Sequence, residues 1–303
     1  MSLRHVTDID LPEHLKEGGF DHAAAHRRSA RLYVAHTAND AVDVIDCGRD
    51  CYLYSIPDLP GVAGVLVSDE RDLVFTSNRR ENTIAILSGS GETRRVKVSV
   101  GIAPNGLAYD PRRDRLLVAH VGSPAVKDSF VDVKNETGVV SLPVAGRTRW
   151  TLFDAGADVF YVNIADPPQI VAIAAIEPFR VVRAFSISSA GPHGLDLDRA
   201  QARLFCACDG GKPFSLDARS GKVLAESDLT GVPDVVFFNA ALKRLYVAIG
   251  DPGVIDVLDT ESLRRSETVR TERGAHTIGF DAARNKVYAF LPGSHRAAVY
   301  VDE

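Results

Sequence analysis

Cysteine is scarce in this chain. Its four thiols fall in two local pairs, Cys47/Cys51 and Cys206/Cys208, in 303 residues. They are too few and too local for a disulfide scaffold, and neither pair has the C-x-x-C spacing of a zinc knuckle or redox centre. In a strand Cys206 and Cys208 would share a face, and all four read as reduced packing thiols. Long apolar runs are absent too, so no stretch of about 18 residues is suited to span a membrane as a helix. The start, "MSLRHVTDIDLPEHLKEGG", lacks the basic-then-apolar order of a secretion signal, and a cytoplasmic protein is expected. There is no basic excess. The net charge is −5, which argues against a nucleic-acid partner. G-x-S-x-G, a Walker loop, H-E-x-x-H and a dinucleotide fingerprint are all missing, which removes support for a covalent serine mechanism. Ordinary apolar and charged fractions leave a globular protein with a real core.

What is present is a repeat. Seven segments share one pattern of apolar strand, tight polar turn and second apolar strand. "APNGLAYDPRRDRLLVAH", "GPHGLDLDRAQARLFCAC", "GVPDVVFFNAALKRLYVAI" and "GAHTIGFDAARNKVYAFL" are the plainest copies. They recur about every 42 residues, the spacing of propeller repeats. The turns "DPRRDR", "DRAQAR", "NAALKR" and "DAARNK" open with Asp or Asn, which start turns through their own side chains. A third strand follows, as in "NTIAIL" and "AVDVID", and a fourth, as in "RRVKVSV" and "RRSETVR". Four short antiparallel strands in each of seven units predict an all-β, seven-bladed β-propeller forming one domain over 1–303. The last copy runs out after its third strand, "RAAVYVDE". The N-terminal "HVTDIDL" supplies the missing fourth and closes the ring. "LPEHLKEGG" could hold a short helical turn.

The repeat, clearest in "RLYVAIGDPGVIDVLDTESLRR", resembles the YVTN-type propeller repeat. Nearly the whole chain looks like the YncE-like family of seven-bladed propellers. Related propeller groups include lactonases, phosphotriesterase-like hydrolases, a streptogramin lyase and proteins with no known reaction. The resemblance implies a fold with its site at one mouth of the central channel. The metal-dependent relatives set polar residues at the strand entrances, mostly Asn, Asp and Glu, whereas this chain sets two histidines there.

Aligning the seven anchors makes one position comparable in every blade. At the entrance of the innermost strand stand Asp21, Ala63, Asn105, Arg149, His193, Asp234 and His276. Because the ring closes, His193, Asp234, His276 and Asp21 are neighbours on one arc. Imidazole with carboxylate suits Zn, Mn, Fe or Ni, and an all-oxygen set would favour Ca. Without a metal, His beside Asp is an oriented general base. Arg149 and Asn105 face this arc and are suited to capture a carboxylate or phosphate. A second circle, at the far end of the next strand, holds His36, Ser77, His120, Asn163, Cys208, Ile249 and Leu291, with His36 and His120 as further substrate-binding candidates. Asp209 and Asp251 follow in adjoining loops, Asp251 as a turn residue in "GDPG". "DER" and "NRREN" read as solvated loops.

Two functions follow as expectations. The first is a small-molecule hydrolase or lyase, lactonase-like and metal-assisted at Asp21, His193, Asp234 and His276. In it His193, His276 and Asp234 are catalytic, and a small anionic molecule is held at the channel mouth. The second is a non-catalytic scaffold that binds a ligand or a protein partner with the same face.

Overall fold

The computed structural model describes residues 2–89, 95–122 and 127–303. Its 28 strands form seven four-stranded antiparallel sheets arranged as the blades of a propeller. The first strand of each blade lines the axis. These inner strands are Phe20–His26, Val62–Ser68, Pro104–Asp110, Thr148–Asp154, Pro192–Asp198, Pro233–Asn239 and Thr277–Asp281. The expected fourth strand of blade two is present over Arg95–Ser99, while Arg94 lies outside the described residues. Residues 11–19 carry no helix, and among the described residues the one helical turn is the 3-10 turn Thr37–Asn39.

The turn chemistry read from the sequence is what shapes the inner hairpins. Asp198 Oδ1 accepts the backbone N–H groups of Ala200 and Gln201, and Asn239 and Asp281 do the same for Ala241 and Ala283. Each of these turns then ends on a left-handed residue, Ala202, Lys243 or Asn285. Blade cores are built from facing sheet surfaces. Leu204, Cys206, Phe214 and Leu216 of blade five, for example, pack on Tyr161, Ile170 and Ala172 of blade four. Cys206 and Cys208 are buried free thiols with sulfurs 3.9 Å apart.

The seventh blade takes three strands from the C-terminal end, Thr277–Asp281, Lys286–Leu291 and Arg296–Asp302. Its fourth is Leu3–Asp10, antiparallel to Arg296–Asp302 from Leu3↔Asp302 to Asp10↔Arg296. Leu3, Ile9 and Leu11 are buried in that seam. Deleting residues 1–11 should cost about 4–6 kcal/mol, from three apolar side chains at roughly 2 kcal/mol each. It should also leave Arg296–Asp302 as an open edge prone to self-association. Thermal melting and light scattering check both effects. An unchanged melting temperature would mean that the strand does not close the ring.

Candidate functional site

The backbone turns the entrance residues toward the axis. In six blades the pairing of the inner strand with its neighbour slips just after the strand begins, as between Phe20/Ala23, Pro104/Leu107 and Pro192/Gly194. A bulge of this kind takes a residue out of the ladder and re-aims its side chain. It acts on Asp21, Ala63, Asn105, Arg149, His193 and Asp234. His276 precedes the first paired residue of blade seven, Thr277. Close packing of neighbouring blades needs glycine beside these positions. A Cβ on Gly106 would lie 2.3 Å from the Arg149 carbonyl oxygen, and one on Gly194 would lie 2.5 Å from that of Asp234.

Three of the four arc residues come together. Asp234 stands between the two histidines, its Oδ1 3.1 Å from His193 Nε2 and its Oδ2 2.7 Å from His276 Nδ1. The other nitrogen of His193, Nδ1, is 2.9 Å from Asp209 Oδ1. Arg149 pairs with Asp209 Oδ2 at 2.8 Å and lies against the His193 ring. Asp21 turns elsewhere: its Oδ2 is 3.2 Å from Arg79 Nη2. Arg79 also donates to Asn105 Oδ1, and Asn105 Nδ2 donates to the Arg149 carbonyl at 3.3 Å. The expected residues thus form a charged ring, but through pairwise bonds to one another.

These contacts set the charges. Burial alone would lower the His193 pKa, but the Asp234 and Asp209 carboxylates override it and push it up to about 9. His276 is also raised against its burial, by Asp234 and then Asp21. Burial would lift the Asp234 carboxyl, yet the two imidazoles hold it well below the usual carboxylate range. Arg147 is lowered by burial and by the like charges of Arg149 and Arg79. His276 is the more open of the two imidazoles, 42% exposed against 21% for His193.

The second circle does not reach this cup. His36 and His120, expected to bind substrate, are buried and their rings are tied to their own blades. His36 Nδ1 bonds Asp43 Oδ2 at 2.7 Å, and His120 Nε2 bonds Ser129 Oγ at 2.9 Å. The register makes Asp43 and Ser129 equivalent positions on the third strand, so both histidines look outward into the blade. Burial lowers His120 to about 4. Ser77 and Asn163 are buried ties between blades, to the Asn105 carbonyl and the His193 carbonyl. Cys208 and Ile249 are core. Asp251 is exposed and pairs with Arg273, as suits a turn residue.

Two ring members escape the alignment. Arg79 comes from the "NRREN" run, expected to be a solvated loop, and Arg147 from the loop leading into blade four. The available signal was an arginine just past a strand end, Arg79 after Leu73–Asn78, and one two residues before an entrance position, Arg147 before Arg149.

The ring was also expected to suit a metal. Both ring nitrogens of His193 face carboxylates, Asp21 is occupied by Arg79, and the Arg149 guanidinium sits against His193. Among the described residues no group of three or more His, Cys, Asp or Glu side chains is disposed to hold a metal ion. The donor set as arranged does not fit one.

No family model matches the chain, and no curated protein matches it. Among solved structures it is similar to Kuenenia stuttgartiensis hydrazine synthase, with a TM-score of 0.84 at 13% identity. The likeness covers 96% of this chain and 97% of that one. It shows the fold alone. The chain is a seven-bladed β-propeller. Among the described residues no helix is long and apolar enough to cross a membrane.

Proposed function

We propose that the charged ring binds a small anionic substrate and moves a proton on it, as a hydrolase or lyase of the lactonase-like kind that the YncE-like repeat suggests. The observation that carries this reading is the balance of charge. Even with the His276 imidazole neutral, Arg79, Arg147, Arg149 and His193 are four cations against the three carboxylates Asp21, Asp209 and Asp234. The surplus is positive and lies at a channel mouth, where a carboxylate or phosphate would complete it.

The histidines divide the work. His193 has both nitrogens committed and stays an imidazolium, a fixed charge facing any oxyanion or enolate that develops. His276 is held by Asp234 through Nδ1, which orients the ring and leaves Nε2 toward the cup. Nε2 takes a proton from water attacking a lactone, or from the carbon beside a carboxylate in an elimination, and returns it to the leaving oxygen. Arg147 and Arg149 hold the anionic end. This reading routes no step through a metal. One equivalent of Zn, Mn, Fe, Ni or Ca that purifies with the protein and is lost in His193→Ala would overturn that part.

Calorimetric titration with acetate and phosphate at neutral pH tests binding. Arg147→Ala should weaken either anion by about tenfold or more. His276→Gln should leave anion affinity within about threefold while lowering turnover of a lactone or carboxylate substrate by roughly 10²–10⁴. If the parent binds neither anion, the reading fails. Anion binding without turnover across such substrates would leave the scaffold alternative.

A further inference from the structure

Below the ring the channel changes character. Trp150, the only tryptophan in the chain, crosses from blade four and packs on side chains of blade five and of blades six and seven. Its ring centroid is 4.1 Å from that of His22 in blade one. The pair forms the floor of the charged cup and the roof of a cavity of about 510 Å³. This cavity is not where the charged ring lies. It runs toward the opposite mouth, where Arg27, Glu70 and Arg199 line it.

The lining repeats from blade to blade. The fifth residue of the inner strand faces the cavity as Ala24, Leu66, Ala108, Leu152 and Phe237, but in blade five it is Asp196. Asp196 is the one charged side chain in that tier. Its Oδ1 accepts the Leu197 N–H and its Oδ2 the Phe238 N–H, both at 2.7 Å, which leaves a lone pair on each oxygen. It makes no ion pair among the described residues. Burial pushes its carboxyl up, while those two N–H groups and the charge of Arg199 oppose the rise. Thr151 also lines the cavity, is 3% exposed, and has a hydroxyl without a hydrogen-bond partner.

A deep carboxylate in an apolar wall is stabilised by a cation that brings its own donors. The faces of Trp150 and Phe237 favour a flat apolar body and attract a nearby ammonium. The volume is that of a small-molecule site. We propose that this lower chamber is a second binding site, for a small aromatic primary amine, with its ring beneath Trp150 and its ammonium at Asp196. It is separate from the anion site above and does not depend on that reading.

Trp150 fluorescence is the readout, with three ligands of one skeleton: phenethylamine, phenethyl alcohol and hydrocinnamate. The amine should give a saturable change, with affinity about tenfold or more above the alcohol and the carboxylate. Saturating acetate, the probe for the cup, should not displace it. Asp196→Asn should weaken the amine about tenfold or more and leave the alcohol nearly unaffected. Leu152→Phe, which narrows the chamber from the neighbouring blade and leaves Asp196 in place, should weaken both. Circular dichroism establishes that each variant is folded. The proposal is overturned by an absent response to the amine or an alcohol that binds as well. Undiminished amine binding in folded Asp196→Asn, or in folded Leu152→Phe, would overturn it equally.

Discussion

Asp234→Asn should destabilise the protein by about 2–3 kcal/mol at neutral pH. The size follows from breaking partly buried ion pairs, for which about 3–5 kcal/mol is usual in full burial, and Asp234 and His193 retain about one-fifth exposure. The sign can be followed with pH. His193 has its pKa raised from 6.5 to about 9. Its contribution is therefore fully present below 6.5 and is lost as pH rises through about 9. Asp234 is depressed, so its contribution is present above the ordinary carboxylate range and is lost as pH falls through the lowered value. The difference between parent and variant should be widest from weakly acidic to neutral pH and shrink on the alkaline side. Asp209 keeps part of the His193 shift, since it bonds Nδ1 independently. Urea unfolding across that range measures it. A difference that is flat with pH would mean that the imidazoles do not depend on this carboxylate.

Asp128→Val should have the opposite effect and stabilise the protein by about 3–4 kcal/mol above neutral pH. Asp128 is fully buried, and neither carboxylate oxygen has a hydrogen-bond partner among the described residues. Thr148 is beside it, but its hydroxyl donates to the His120 carbonyl. Burial raises the Asp128 pKa from 3.8 to about 7. A raised carboxyl penalises the fold as pH climbs through that interval, at about 1.4 kcal/mol per unit. The parent should therefore gain stability on acidification from about 7 towards 4, and the variant should not. The equivalent register positions in the six other blades are Val42, Ile84, Ile170, Pro213, Ile255 and Ala297, so valine meets a site the repeat already fills with apolar groups. A loss of stability at neutral pH would assign Asp128 an interaction that its surroundings do not reveal.

The blades were legible because their determinants are local. Asp198, Asn239 and Asp281 start their turns through bonds two or three residues away, and strand alternation does the rest. The first circle was legible for a related reason: the repeat places Asn105, Arg149, His193, Asp234 and His276 at one strand position. Its pairing was not. That His193 would spend both nitrogens on Asp209 and Asp234 depends on how adjacent blades approach, and Asp21 is drawn away by Arg79 from a run that looks solvated. The second circle misled because strand position alone does not say which way a ring turns. His36 and His120 share the position, yet Asp43 and Ser129 on the next strand draw them into the blade.

The seventh blade has a consequence for the order of events as the chain folds. Leu3 pairs with Asp302, a contact between residues separated by almost the whole sequence. Loop-closure entropy for such a pairing must be met before the contact stabilises anything. Six blades can complete their sheets from neighbouring segments while synthesis proceeds, stacking as an open arc. The first strand has no partner until Arg296–Asp302 has emerged. Until then the apolar face of blade one carrying Leu32 and Val34 is uncovered. Closure is therefore the last step, and the interval before it is the period of greatest exposure to association with other chains.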